Sequence, residues 1–267
     1  PARGHAVKPV LSPTRHAVSP AAAITVDRVS KTYGDGRSSV VALDHLSLEV
    51  AAGEFVCLVG ASGCGKSTLL NLVAGIYRID EGTIETGAHR VGLMFQEPAL
   101  FPWLTVAQNV EAAMRFQGVP RDRRRARAAE LLDLVSLGSC ATWRPHQLSG
   151  GMQQRVALAR ALAQDADILL MDEPFGALDA MTRDVLHDEL ERIWQASALT
   201  IVFVTHNVRE AVRLGDRVVL LSSRPGRVVA EFPVALPRPR RIEGGPVSAL
   251  AAAVTDALRR EVHRHGQ

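Results

Sequence analysis

Cysteine is scarce in this chain: Cys57, Cys64 and Cys140 are the only three among 267 residues. An odd count at no recognisable spacing excludes a disulfide framework and a cysteine-built metal site, and it fits a reducing cytosol. Long apolar runs are missing as well. None approaches the ~18–20 residues needed to span a bilayer, so any membrane role has to come through another chain. Acids are absent from residues 1–22, where Arg3, Lys8 and Arg15 account for the whole net charge of +3. The remainder is balanced, which argues against a dedicated nucleic-acid surface. That basic start is cut by Pro9, Pro13 and Pro20 and has no continuous apolar region, so a secretory signal is not expected. There is no internal repeat, and no low-complexity stretch beyond the tails.

What is present is a globular composition. The apolar fraction of 47% is ample for a buried core, and the length suits one large domain or two small ones. Residues 1–22, rich in Pro and Ala, read as a flexible tail. "AITVDRV" and "VALDHLSLEV" alternate as strands do, and "GEFVCLVG" is an apolar strand followed by a helix, "KSTLLNLVAG", closed by Gly75. Two short strands, "GTIETG" and "RVGLMFQ", come next. From about Glu97 to Gln164 convincing strands stop, and helical patterns run over 105–117, 121–137 and 151–164. The arginine-rich "RDRRRARAAE" reads as the solvated start of the second. Then "DILLMDEP", "LTIVFVTH" and "DRVVLLS" return as apolar runs, as strands covered on both faces of a mainly parallel sheet would, with a helix over 181–196. "GRVVAEFPVAL" is a last strand, "PRPRR" a linker, and 247–264 an amphipathic terminal helix.

Two glycine-rich segments carry the chemistry. Gly60, Gly65, Lys66 and Ser67 in "GASGCGKST" fit G-x-x-x-x-G-K-[ST], after a strand and opening a helix. Glycines there let successive backbone N–H groups converge on one anion at the positive end of the helix. Across Gly60, Ala61, Ser62, Gly63, Cys64, Gly65, Lys66, Ser67 and Thr68 the expectation is a nucleotide's phosphates, with Lys66 on the β and γ groups and the Ser67 hydroxyl on Mg²⁺. "ILLMDEP" delivers Asp172 to the end of a buried strand, where it can bind the magnesium shell, and puts Glu173 next to it to polarise the attacking water. The second segment, "LSGG" ahead of "MQQRVALARALA", sets two adjacent glycines at a helix start, where neither helps the helix. It can present Ser149 and two unobstructed N–H groups to an anion, or it can be a turn between helices. Cys64, beside Lys66 and a helix N-terminus, is either a reactive thiolate or a small residue that fits the loop.

In this combination the chain resembles the ATP-binding subunits of ABC transporters over about residues 24–235. The resemblance implies an α/β fold: a P-loop NTPase core with a mainly parallel sheet, an antiparallel β subdomain and an inserted helical subdomain. It implies a tail over 1–22, an ATPase domain over 23–236 with its helical part at about 97–164, and a linker with a C-terminal helix over 237–267. It further implies that two copies pair head to tail, so that Leu148, Ser149, Gly150, Gly151 and Gln153 of one close over ATP held by the other. By the same resemblance Tyr33 stacks on adenine, and Gln96 touches Mg²⁺ and the attacking water and senses the membrane partner. Asp179 links the two halves, and His206 contacts the γ-phosphate.

The implied cofactors are ATP and Mg²⁺. The implied partners are a second copy, transmembrane permease subunits and an extracytoplasmic solute-binding protein, with no nucleic acid. The place implied is the cytoplasmic face of the inner membrane, held peripherally. Phe101 and Trp103, in a proline-marked loop, either anchor the permease or are buried in the helical insertion. "QEPALFPWLTVAQNV", "EPFGALDAMTR" and "THNVREAVRLGDRVVLLSSRPGRVV" look like the nitrate, sulfonate and taurine branch of importers, with aliphatic sulfonates the preferred solute. Two other classes stay open: a soluble ABC-type ATPase acting on nucleic acid or ribosomes, and a P-loop kinase or GTPase in which "LSGG" is accidental.

Overall fold

The computed structural model describes residues 22–35, 38–176 and 178–265. The basic tail read over 1–22 therefore lies outside the described residues, except for Ala22, which opens the first strand. In chain order the elements are β1 (Ala22–Tyr33), β2 (Val40–Ala51), β3 (Phe55–Val59), α1 (Lys66–Val73), β4 (Glu81–Glu85) and β5 (Val91–Met94). Next come α2 (Val106–Phe116), α3 (Arg121–Leu134), α4 (Gly150–Leu162), β6 (Ile168–Asp172), α5 (Ala180–Ala196) and β7 (Thr200–Val204). The chain ends with α6 (Val208–Leu214), β8 (Arg217–Leu221), β9 (Val228–Pro233) and α7 (Gly245–His265).

Six strands form one sheet in the order β5-β6-β7-β3-β8-β9, and only β9 runs antiparallel to its neighbour. Its central strands are buried along their whole length, and their residues alternate between two cores. Phe55, Cys57, Val59, Leu169, Met171, Ile201 and Phe203 face one side, with the packed helices α2, α3 and α4. Val56, Leu58, Ile168, Leu170, Val202 and Val204 face the other, against α1 and the second sheet. Period-two side-chain direction with apolar cover on both faces is why these strands read as continuous apolar runs. Each such Val or Leu taken out of water contributes about 1.5–3 kcal/mol before the entropy of ordering the chain is charged.

The second sheet is antiparallel, in the order β2-β1-β4. Between β5 and β6 the chain leaves the sheet for α2, α3 and α4. Helix α2 starts on a capping box, in which the Thr105 side chain accepts from Gln108 N–H and the Gln108 side chain accepts from Thr105 N–H. Arginine-rich α3 buries only Ala128, Leu131 and Leu132, so its guanidinium-bearing face is the solvated one that was expected.

The "PRPRR" segment is more than a linker. Arg240 is buried and donates to the carbonyls of Val212, Arg213 and Gly215, and Arg238 to that of Leu214. These guanidinium groups satisfy the orphan carbonyls at the end of α6, a seven-residue helix. Helix α7 then returns to place Val247, Ala251 and Val254 in the first core.

Candidate active site

Parallel pairing places the candidate residues on one edge of the sheet. Met94 is level with Met171, Asp172 with Val204, and Leu58 with Val204. Gln96, Glu173, His206 and Gly60 each follow within two residues of those positions, so all four leave the sheet at the carboxyl ends of adjacent strands. That edge is where open α/β sheets bind ligands.

The loop from Gly60 to Gly65 curls there around an ammonium group. Lys66 is 7% exposed, and its Nζ donates to the carbonyls of Gly60 at 2.9 Å and Ala61 at 3.0 Å. Gly63 and Gly65 hold φ of +73° and +99°, which disfavours any side chain at either position. At Gly65 a Cβ would also come within 2.6 Å of the Leu43 side chain. The loop is braced from behind by the "SSRPGR" segment, a role its sequence does not show. Arg224 Nε donates to Gly63 O at 3.2 Å, and Gly226 packs so closely that a Cβ on it would lie 2.3 Å from Cys64 O. Ser62, Gly63 and Ser67 are exposed at the mouth, and Ala61 and Thr68 are half-buried.

Cys64 resolves toward packing. It is 1% exposed, and its sulfur lies 2.8 Å from where a Gly60 Cβ would stand. A thiol beneath the loop is out of reach of solvent reagents, whatever its neighbours do for the thiolate. Cys64→Ala is expected to keep ATP turnover within about twofold, with slow thiol labelling of the folded chain by intact-mass analysis. Rapid labelling of Cys64 that ATP blocks would reinstate a reactive cysteine.

Asp172 closes β6 and is 9% exposed. Burial pushes its carboxyl above the usual carboxylate range; a hydrogen bond from Ser67 opposes this, neighbouring Glu173 adds to it, and Lys66 opposes it. Glu173 sits at φ +45°, in the left-handed region, with its N–H donated to Val204 O at 3.0 Å. Holding a glutamate there is strained, and strain of this kind concentrates at working sites. Its Oε2 lies 3.0 Å from His206 Nδ1, so carboxylate and imidazole meet where β6 and β7 end. A helix N-terminus with converging amides, a buried ammonium, and a carboxylate beside a hydroxyl are the groups a nucleotide's phosphates and a magnesium ion require. Mg²⁺ takes few protein ligands and completes its shell from phosphate and water, so Ser67 and Asp172, with Gln96 at the next strand end, are groups that could hold one.

Gln96 shares the strand-end edge with this cluster, whereas Tyr33 and Asp179 belong to other elements. Tyr33 ends β1, exposed, with its ring edge-on to Tyr77 at 6.1 Å. Gln96 is exposed, and its carbonyl accepts from the buried Gln154 at 3.3 Å. Gln154 was not foreseen, although "GGMQQR" contains it. Asp179 caps α5 by accepting from Thr182 N–H at 2.9 Å, and that backbone bond holds its carboxyl below the usual range. Arg183 binds the Phe175 and Leu178 carbonyls and so fastens the segment between Glu173 and Asp179.

Ser149 caps α4 through Met152 N–H at 3.3 Å, Leu148 is buried, and Gln153 ties the helix back to Pro145 O at 3.0 Å. Gly151 touches Leu178, since a Cβ there would lie 3.2 Å from its Cδ2. Gly150 is different: among the described residues a Cβ there would meet nothing within 4 Å.

The fold and this site define a P-loop nucleoside triphosphatase carrying a helical insertion. The sequence profile of the family described as ABC transporter matches residues 43–176. The chain is 47% identical over 231 residues to the taurine import ATP-binding protein TauB of Rhizobium johnstonii, covering 84% of this chain and 87% of that protein. It is 46% identical over 221 residues to the nitrate import ATP-binding protein NrtD of a Synechocystis species, covering 80% and 83%. A dimeric ATP-binding cassette solved in a post-hydrolysis state with ADP and Pi superposes with a TM-score of 0.74 at 34% identity, over 80% of this chain and 99% of that one. The chain belongs to the ABC transporter family and is one of its ATP-hydrolysing cassettes.

Proposed function

We propose that this chain is the motor of an importer, hydrolysing MgATP in a head-to-tail pair of cassettes to drive solute through a separate permease. Lys66 and the loop amides from Gly60 to Thr68 hold the phosphates, Tyr33 packs on the base, and Ser67 and Asp172 hold Mg²⁺ with Gln96 beside them. When bound there, the metal would supply positive charge against the phosphates. Glu173 takes a proton from the attacking water, and His206 orients Glu173 and the terminal phosphate.

The observation that carries the pairing is Gly150. Glycine at a helical position costs about 0.5–1 kcal/mol relative to alanine. Among the described residues nothing lies within 4 Å of the space its missing side chain leaves, and Ser149 and Gly150 are exposed at the head of α4. A backbone kept bare toward solvent fits a ligand brought by a second copy. Asp179, exposed at its cap, stands on the surface such a copy would meet.

A permease has a seat to take. Phe95, Phe101, Phe116, Ile76 and Leu93 line an open groove of about 560 Å³ between the sheet edge and α2. Trp103 stands 66% exposed nearby, its ring 5.5 Å from that of Phe101. Arg160 clamps the wall by donating to Pro98 and Ala99 carbonyls, and Asn109 pins Phe101 through its backbone. Pressure on this groove would reach Gln96 along a short stiff loop. In this reading the chain is peripherally bound at the cytoplasmic face of the membrane, with an extracytoplasmic solute-binding protein in the same system. The solute class follows the taurine and nitrate importers it resembles, with aliphatic sulfonates preferred.

Growth of a deletion strain on single sulfur and nitrogen sources tests the reading. Loss of growth on taurine or alkanesulfonates, with growth on sulfate intact, is the expected result. Loss on nitrate alone would move the system to nitrogen uptake, and unimpaired growth on all of them would remove both solute classes.

A further inference from the structure

One buried histidine touches both segments that carry the reacting side chains. His187, on α5, has no solvent exposure. Its ring lies edge-on to Phe175 at 5.1 Å, two residues past Glu173. Its Nε2 lies 2.6 Å from Glu210 Oε1, and its Nδ1 lies 2.5 Å from Arg213 Nη1. A guanidinium only donates, so Nδ1 must accept and the ring proton sits on Nε2, donated to Glu210.

Glu210 passes this constraint on. Its other oxygen accepts from the Thr205 hydroxyl, and the same hydroxyl oxygen accepts from Asn207 N–H at 3.0 Å. Asn207 in turn caps α6 by accepting from Arg209 and Glu210 N–H groups at 3.0 and 3.3 Å. His206 lies between Thr205 and Asn207, so both its neighbours are locked while its own ring is free to face Glu173. At the other end Arg213 is anchored by Asp184 at 3.4 Å, by Asp188, and by donating to Arg240 O at 3.2 Å.

The geometry points to His187 as a positioning residue for hydrolysis. Through Glu210 and Thr205 it sets the turn that aims His206 at Glu173, and through Arg213 it ties that turn to the C-terminal segment. The inference rests on the proposed role of His206. A buried histidine that served only to fill the core would be replaceable by any apolar side chain of its size. This one needs a donor at one end and an acceptor at the other.

The test is ATP turnover of the full chain, with nucleotide affinity measured separately. His187→Leu is expected to lower kcat about tenfold, with ATP affinity within about twofold, because a displaced reacting group loses rate and leaves the phosphate cradle alone. His187→Gln should stay within about twofold of native, since its carbonyl can accept from Arg213 and its amide can donate to Glu210. Thr205→Val and Thr205→Ser form a second pair, reading the same hydrogen-bond chain at a smaller buried side chain: about tenfold lost, then restored. This pair decides the matter if the leucine variant does not fold. Native kcat in Thr205→Val, or glutamine no better than leucine at 187, overturns the inference. His206→Ala separates the two readings. Native turnover there overturns the role of His206 and this inference together, whereas loss there with none in Thr205→Val overturns this inference alone.

Discussion

Glu173→Gln is expected to bind ATP as the native chain does, to hydrolyse it at least ~100-fold more slowly, and to accumulate as an ATP-bound dimer. The geometry separates these effects. The main chain of residue 173 is fixed by its N–H bond to Val204 O, and its side chain reaches His206 at 3.0 Å. Glutamine is isosteric and can still hydrogen-bond the imidazole, so neither the strand end nor the phosphate cradle is disturbed. What it lacks is a basic oxygen to take a proton from water, a contribution of about 10²–10⁴ in rate. If hydrolysis is what reopens the pair, stopping chemistry traps it closed. Phosphate release and light scattering in the presence of ATP measure the two halves independently. Ordinary turnover would remove Glu173 from the base role. Slow turnover by a monomer that still binds ATP would leave the base in place and sink the head-to-tail arrangement.

The legible parts of this protein are those where one local pattern has one physical outcome. A five-residue strand covered on both faces has to be apolar along nearly its whole length, so β3, β6 and β7 stand out, with Asp172 and Thr200 as polar ends. A loop that wraps an anion needs glycine at set intervals, and the positive φ at Gly63 and Gly65 is the reason. Four features were hidden because their causes are tertiary. Helix α6 is too short to show a period, and it is held by Arg238 and Arg240, which the sequence presents as a linker. Cys64 has an electropositive neighbourhood that suggests reactivity, yet the curl of the loop buries it. The groove aromatics Phe95 and Phe116 belong to a strand end and a helix end, and only packing brings them together with Phe101. His187 is invisible for the same reason: its partners lie 23 and 26 residues away.

Asp172→Asn should divide stability from activity. Because burial, the largest influence on this carboxyl, raises its pKa, the folded chain holds the proton more tightly than the unfolded chain does. Asp172 therefore adds stability at acid pH, and that contribution is lost as pH rises through the folded-state pKa. At neutral pH its charge is carried at a cost, accepted where a cation is to be bound. Asparagine keeps the shape and can accept from Ser67 but carries no charge. The ligand-free variant is expected to melt about 2–4 °C higher at neutral pH, with the gain shrinking toward acid pH, where the native carboxyl is protonated anyway. Turnover should fall at least ~100-fold if Asp172 is, as proposed, the anionic protein ligand of the magnesium shell. Adding MgATP should raise the melting temperature of the native chain more than that of the variant, since ligand that binds only the folded state stabilises it in proportion to affinity. Melting curves with and without MgATP at two pH values measure all of this. A variant that melts lower without ligand would mean that Ser67 and Lys66 already compensate the buried charge. An equal response to MgATP in both chains would take Asp172 out of the metal site.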